Sequence, residues 1–171
     1  MNTLLTTSHP VTPEAAAPLC IREILVPIDF SEHSDFCLRY AIRFAECFSA
    51  TITLLHVVTT PVAYPDVGAT YPSAACMNGL SEAAQERISR LCEQEHLTLP
   101  RLRRTIVRVG LPHEAIAETA SERGADLIIL ATHGRTGLAH VLHGSVAEQL
   151  VREAPCPVLV LHAEHQKFIA P

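Results

Sequence analysis

Residues 24–58 decide the fold, and they read ILVPIDFSEHSDFCLRYAIRFAECFSATITLLHVV. The stretch opens with a short apolar run, 24–28, which is typical of a strand buried on both faces. Ser31 follows as a helix N-cap, and apolar residues then recur at helical spacing as far as Phe48. A second run rich in β-branched residues, 52–58, completes a strand–helix–strand unit.

The same alternation continues along the rest of the chain after an interruption at residues 59–80, a Pro- and Gly-rich segment that predicts a long loop. Periodicity and end signals predict a helix from about Ser81, a strand at 103–109, a helix from His113 closed by Gly124, a strand at 126–131, a helix at 145–153 and a strand at 158–161. Strands that alternate with helices predict an α/β fold, in which a doubly wound parallel sheet carries helices on both faces.

Length and composition limit the classes of protein to which the chain can belong. With 171 residues, 48% apolar and 18% charged, it predicts one globular domain at 21–162 between flexible tails at 1–20 and 163–171. A net charge of −5 argues against nucleic acid as a partner. Apolar runs of strand length argue against a membrane span. Lys167 is the only lysine, which excludes a lysine-based phosphate loop.

The six cysteines include no C-x-x-C pair, and their irregular spacing predicts reduced thiols in a cytoplasmic protein. Three of them lie among apolar helical residues and are expected to be buried: Cys37, Cys47 and Cys92. Two histidine pairs at i, i+3 spacing, 140/143 and 162/165, have no third ligand in the sequence and do not indicate zinc. The basic tetrad 101–104 predicts a solvated edge strand.

Two segments follow predicted strands at the edge where open sheets of this type bind ligands. After the fourth strand, Gly134 and Gly137 allow close approach of a ligand, and Gly144 and Ser145 begin a helix whose free N–H groups favour an anion. Arg135 adds a positive charge, so the segment can form a phosphate site. A plain turn with an N-cap remains the alternative.

Asp29, at the end of the first strand, has two possible roles. Its carboxylate can accept hydrogen bonds from a ribose or an adenine amino group, or contact Mg²⁺, but it can also cap the next helix jointly with Ser31. His133 lies beside the glycines, and no nucleophile or acid stands beside it in the sequence. We therefore expect His133 to orient the loop and not to act as a general base.

From Ile21 to Leu161 the chain resembles the universal stress protein family. The similarity rests on six ordered motifs: ILVPIDFSE at 24–32, TLLHVV at 53–58, VGLPHEAI at 109–116, ADLIILATHGRTGL at 125–138, HGSVAE at 143–148 and APCPVLVL at 154–161. The resemblance implies a Rossmann-like sheet of five parallel strands in the order 3-2-1-4-5, of the adenine nucleotide alpha hydrolase-like type. It also implies a homodimer, often paired through the last strand, here Val158–Leu161.

Nucleotide-binding members of that family carry the pattern G-x₂-G-x₉-G-[ST]. Gly134, Gly144 and Ser145 match its later positions, whereas Ala131 stands where the first glycine would be. That departure matters if the residue needs a positive φ and matters little if it keeps strand geometry. The resemblance further implies ATP as ligand, with or without Mg²⁺, and a set of contacts: Asp29 and Val57 flanking adenine and ribose, Pro27 and Ile28 as the floor, Leu130 against the base, and the Val146 N–H toward phosphate.

The sequence thus predicts a cytoplasmic stress-response protein, a dimeric ATP-binding module with little or no hydrolysis, with an unidentified protein as a further partner. No catalytic residue is assigned. The first alternative is a dimeric interaction protein on the same fold that binds no nucleotide. The second is a slow Mg²⁺-dependent ATPase or autophosphorylating protein, with Asp29 on the metal and Ser145 near the phosphates.

Overall fold

The computed structural model describes residues 19–59, 73–132 and 146–162. Five strands and four helices alternate along these residues. Their bounds are β1 Glu23–Pro27, α1 Glu32–Phe48, β2 Thr51–Val58, α2 Ala74–Gln94, β3 Leu102–Val109, α3 Pro112–Arg123, β4 Leu127–Thr132, α4 Val146–Glu153 and β5 Val158–His162.

The strands form one parallel sheet in the order β3-β2-β1-β4-β5, which confirms the fold class and the order that the resemblance implied. β1 lies at the centre, where Ile24 is opposite Ile52 of β2 on one side and Leu127 of β4 on the other. The chain therefore adds β2 and β3 on one side of β1, and later adds β4 and β5 on the other side. Open sheets of this type bind ligands in a crevice at such a reversal, which here lies at the carboxyl ends of β1 and β4.

Two hydrophobic cores lie on opposite faces of the sheet, because successive side chains of a strand point in opposite directions. On one face, strand residues such as Val26 and Leu54 pack with α1 and α2. On the other face, Leu25, Leu55 and Ile128 pack with α3 and α4. Burial on both faces explains why the strands appear in the sequence as continuous apolar runs.

Helix α1 begins as predicted, with Ser31 as the N-cap whose side chain accepts a hydrogen bond from the Ser34 N–H at 3.2 Å. The prediction that Cys47 is buried is wrong, because its side chain is exposed, although Cys37 and Cys92 are buried. The buried stripe of α1 includes Cys37, Ala41 and Ala45. A residue two positions beyond Ala45 does not share that face of the helix.

Helix α2 begins at Ala74 and not near Ser81, so the predicted loop 59–80 is too long. The Ser73 hydroxyl caps the helix by accepting a hydrogen bond from the Cys76 N–H at 3.2 Å. The first buried side chain of α2 is Ala84, so the first turns pack little apolar surface. A prediction that rests on an apolar stripe therefore places the start of this helix too late.

The two edges of the sheet differ in charge. β3 forms one edge, as the basic tetrad predicted, but its arginines are not simply solvated: Arg101 pairs with Glu46 at 2.6 Å and Arg103 with Glu23 at 3.0 Å. β5 forms the other edge, and none of its residues 158–161 is charged. Among the helices that the structure describes, none has the length and hydrophobicity needed for a membrane span.

Candidate functional site

The candidate site at the carboxyl ends of β1 and β4 begins at Pro27, the last residue of β1. Pro27 is half-buried, and Ile28 after it is buried, with its N–H donating to the Leu55 carbonyl at 2.8 Å. The ring of His56 holds the same residue, because its Nδ1 lies 2.8 Å from the Ile28 carbonyl oxygen. A carbonyl can only accept, so Nδ1 carries the proton of this hydrogen bond. Pro27 and Ile28 therefore form a fixed apolar floor.

Asp29 follows as an exposed carboxylate at the end of the central strand. Its Oδ1 accepts a hydrogen bond from the Ser31 N–H at 3.0 Å and another from the Ser31 hydroxyl at 2.6 Å. The structure thus confirms that Asp29 supports the start of α1 jointly with Ser31. This role keeps Asp29 at the surface of the crevice, where a carboxylate can accept further hydrogen bonds from a ligand.

The remaining described residues of the predicted site divide between the two faces of the sheet. Leu130 is buried on the face of α3 and α4, where Val57 and Val146 pack against the same cluster. Ala131 packs on the opposite face, which also holds Ile28. Counted from the pair Leu25–Ile128, Pro27 and Leu130 lie at the same level of the sheet. The strand register therefore brings Pro27, Leu130 and Val57, which lies two positions beyond the Pro27–Leu55 pair, to one edge.

Ala131 lies inside β4, where it pairs in register with Leu161. It is not among the non-glycine residues with a positive φ, which are Phe30, Ser49 and His96 in the described part of the chain. Its backbone thus has ordinary strand geometry, which an alanine adopts without strain. The departure from the family pattern at this position therefore introduces no backbone strain.

Five predicted site residues lie outside the described residues: His133, Gly134, Arg135, Gly144 and Ser145. The assignment of Gly134, Arg135, Gly144 and Ser145 to the phosphate groups, and of His133 to the orientation of the loop, remains a prediction. Of the phosphate contacts, only Val146 is described, as the first residue of α4. The first N–H groups of a helix have no partner within the helix, so they are suited to bind an anion.

Three residues at this edge were missed by the sequence analysis: Phe30, His56 and Arg87. The ring centroids of Phe30 and His56 are 4.4 Å apart, and the Arg87 Cζ lies 4.1 Å from the Phe30 ring centroid. His56 had a detectable signal, since it is the one ionisable residue in the apolar motif TLLHVV. Arg87 had none, because its contact spans 57 positions in sequence and is created by the packing of α2.

A second concave surface lies near the amino ends of the strands, opposite the candidate site. It is a groove of about 500 Å³ between α1 and residues 95–101, lined on the helix side by Arg39, Arg43 and Glu46. Its arginines are paired with carboxylates, Arg39 with Glu95 at 3.1 Å and Arg43 with Glu46 at 3.0 Å. Open sheets bind ligands at the carboxyl ends of their strands, so we assign no ligand to this groove.

Comparison with known proteins identifies the family. A sequence profile described as the universal stress protein family matches residues 21–162. Universal stress protein MJ0577 of Methanocaldococcus jannaschii is 30% identical over 152 residues, which cover 82% of this chain and 94% of that protein. Universal stress protein MJ0531 of the same organism is 31% identical over 142 residues, which cover 82% of this chain and 81% of the relative.

Solved structures agree with this family and with the fold. The structure of MJ0577 matches with a TM-score of 0.64 at 29% identity, over 84% of this chain and 97% of that one. UspA from Lactobacillus plantarum matches with a TM-score of 0.62 at 27% identity, over 84% of this chain and 99% of that one. The fold is also shared by a universal stress protein in complex with cAMP, at 21% identity and a TM-score of 0.60 over 84% of this chain and 98% of that one. The profile match and these relatives together show that the chain belongs to the universal stress protein family.

Proposed function

We propose that the chain is a dimeric ATP-binding module of the stress response that hydrolyses ATP slowly or not at all. The observation that carries the proposal is the position of Asp29, an exposed carboxylate after the central strand, beside a fixed apolar floor and at the reversal of strand order. Universal stress proteins solved with cAMP and, in Archaeoglobus fulgidus, with dAMP support it, because they share this fold.

In this proposal each part of the crevice binds one part of the nucleotide. Pro27, Ile28 and Val57 contact the base and exclude water from it, and Leu130 packs beneath it. Asp29 accepts hydrogen bonds from the ribose hydroxyls. The Val146 N–H donates to a phosphate oxygen, together with the predicted contacts of the undescribed segment, and Mg²⁺ would neutralise phosphate charge. The described residues fit an adenine nucleotide, because they offer an apolar surface beside a hydrogen-bond acceptor.

A calorimetric titration with ATP, ADP and AMP, each with and without Mg²⁺, tests the nucleotide proposal. We expect saturable binding of ATP at one site per chain. Gly144→Val should weaken it at least tenfold, about 1.4 kcal/mol, because a branched side chain would block the approach of phosphate. Gly124→Ala, at the amino-end edge of the sheet, is the matched control and should bind normally. A folded wild-type chain that binds none of these nucleotides favours the interaction protein instead.

The proposed dimer forms through β5. The Ile128 N–H donates to the Pro157 carbonyl at 3.0 Å, which fixes the hydrogen-bond pattern between β4 and β5. In a parallel ladder the residues of a strand alternate between its two neighbours, so the N–H groups of Val158 and Val160 point away from β4. Among the residues that the structure describes, these groups lie at the edge of the sheet, where none of residues 158–161 is charged, whereas the other edge carries arginines. Antiparallel pairing of β5 with a second copy would satisfy them across a two-fold axis.

Val160→Pro tests this dimer with little damage to the protomer, because it removes an N–H that β4 does not use. We expect wild type to sediment as a dimer at micromolar concentration and Val160→Pro as a folded monomer. Val151→Asp serves as the control, because it changes an exposed residue of α4, and it should remain dimeric. Val151→Pro would not serve, because proline would break α4. A monomeric wild type would refute the assignment of β5.

A further inference from the structure

Phe30 has a backbone conformation that its position does not explain. Its φ is 61°, in the left-handed region that residues other than glycine seldom adopt. The other two such residues, Ser49 and His96, follow helices, where a left-handed residue commonly ends the helix. Phe30 instead precedes a helix, between Asp29 and the N-cap Ser31. Its conformation therefore needs support from tertiary contacts.

That support is a cluster of three side chains, which we call the Phe30 clamp: His56, Phe30 and Arg87. His56 and the Arg87 guanidinium lie 4.4 Å and 4.1 Å from the centre of the Phe30 ring. The ring is thus in contact with one side chain from β2 and one from α2. In the described part of the chain, Arg87 has no carboxylate partner. Its charge is held by the ring through a cation–π contact.

The clamp holds Asp29 from both sides along the chain. Before Asp29, His56 binds the Ile28 carbonyl, and β2 binds the Ile28 N–H. After Asp29, the Phe30 ring is fixed between β2 and α2. The Asp29 carboxylate then accepts the N–H and hydroxyl of Ser31, whose own position follows from that of Phe30. The direction of the carboxylate thus depends on the ring of its neighbour.

We propose that Phe30 is a positioning residue that aims the Asp29 carboxylate at the ribose hydroxyls of the bound nucleotide, with His56 and Arg87 as the two side chains that hold its ring. This inference rests on the proposed function. It adds that sugar selectivity depends on an aromatic side chain that does not itself bind the nucleotide. It also assigns α2, through Arg87, a role at the site.

The test compares the affinities for ATP and 2′-deoxyATP. Wild type should prefer ATP, and Asp29→Ala should lose that preference. Phe30→Gly should lose it too, with ATP affinity about tenfold weaker, although glycine adopts a φ of 61° without strain. Phe30→Tyr keeps the ring faces and should keep the preference. A Phe30→Gly protein that retains the wild-type preference would refute the positioning role, because the backbone alone would then suffice.

Arg87 has a matched control on its own helix. Arg90 lies one turn away, is exposed, and contacts Glu86 at 3.6 Å instead of Phe30. Arg87→Gln should reduce the preference for ATP roughly threefold, whereas Arg90→Gln should leave it unchanged. Equal effects of the two substitutions would exclude a specific role for the clamp.

Amide hydrogen exchange without nucleotide separates failure of the clamp from failure of the proposed function. The Ser31 N–H donates to Asp29, so Phe30→Gly should speed its exchange, while Arg90→Gln should not. Unchanged exchange in Phe30→Gly would refute the clamp whether or not ATP binds. Faster exchange in a protein that binds no nucleotide would refute the proposed function and the sugar selectivity derived from it.

Discussion

Ala131 departs from the family pattern at a position where the backbone has ordinary strand geometry. The pattern places glycine there, but the structure places Ala131 within β4 in ordinary extended backbone. We therefore predict that Ala131→Gly leaves ATP affinity within about twofold of wild type and lowers stability by about 1 kcal/mol, since glycine weakens a strand. Calorimetry and chemical denaturation measure the two effects. Affinity that rises tenfold would show that the alanine methyl obstructs the ligand.

Burial of Cys37 makes the protein less stable at alkaline pH. Burial raises the pKa of the Cys37 thiol from 9.0 to about 12. Above pH 9 the unfolded chain therefore releases this proton while the folded chain retains it, so stability falls as pH rises. At pH 10 the loss attributable to Cys37 should be roughly 1 kcal/mol relative to pH 7.

The measurement is urea denaturation at pH 7 and pH 10 for wild type and Cys37→Ala. The variant should lose less stability over this interval, whatever its stability at pH 7. Equal losses would mean that the Cys37 thiol ionises in the folded protein.

Exposed Cys20, Cys47 and Cys76 should react with thiol reagents at neutral pH, well before Cys37 and Cys92.

For single residues, the sequence analysis identified those that cap helices through local contacts and missed those that act through contacts distant in sequence. Ser31 and Gly124 have local signatures and were predicted correctly. The clamp on Phe30 depends on side chains from β2 and α2, and no pattern within residues 24–32 indicates it. The wrong prediction for Cys47 came from counting apolar neighbours instead of following the helical face.

At the scale of the elements, one exposed glycine ends α3 and another lies within α2, and replacing them by alanine should change stability in opposite directions. Gly124 ends α3 with a φ of 62°, and Gly79 lies within α2 without a positive φ. A methyl group added at either position meets nothing within 4 Å, so only the backbone responds. Gly124→Ala should destabilise the protein by about 1 kcal/mol, and Gly79→Ala should stabilise it by about 0.7 kcal/mol. Thermal or urea denaturation measures both, and shifts of the same sign would contradict these backbone assignments.

The elements themselves were predicted wherever burial leaves a periodic pattern. All five strands and the buried half of α2 follow from apolar runs and stripes. The first turns of α2, from Ala74, could not be found in this way because they are exposed and contain Gly79. Their helical state depends on the Ser73 cap and on continuity with the packed turns that follow.

For the whole molecule, the topology identifies the edge at which open sheets of this type bind ligands. The order β3-β2-β1-β4-β5 places the reversal between β1 and β4, so residues distant in sequence, such as Asp29, Val57 and Leu130, reach one edge. Alternation in the sequence predicted the parallel sheet, whereas the strand order followed from the family resemblance. The groove near residues 95–101 lies at the amino ends of the strands. It therefore serves as a negative control for ligand binding at the carboxyl ends.

Hydrogen exchange followed by mass spectrometry, with and without saturating ATP, tests the central claim most directly, because it measures both binding and its location. We predict that ATP slows exchange in peptides that contain residues 27–31 and the first turn of α4, while peptides covering 95–101 do not change. Protection confined to 95–101, or no protection anywhere at millimolar ATP, would contradict the assignment of the nucleotide to the carboxyl edge of β1 and β4.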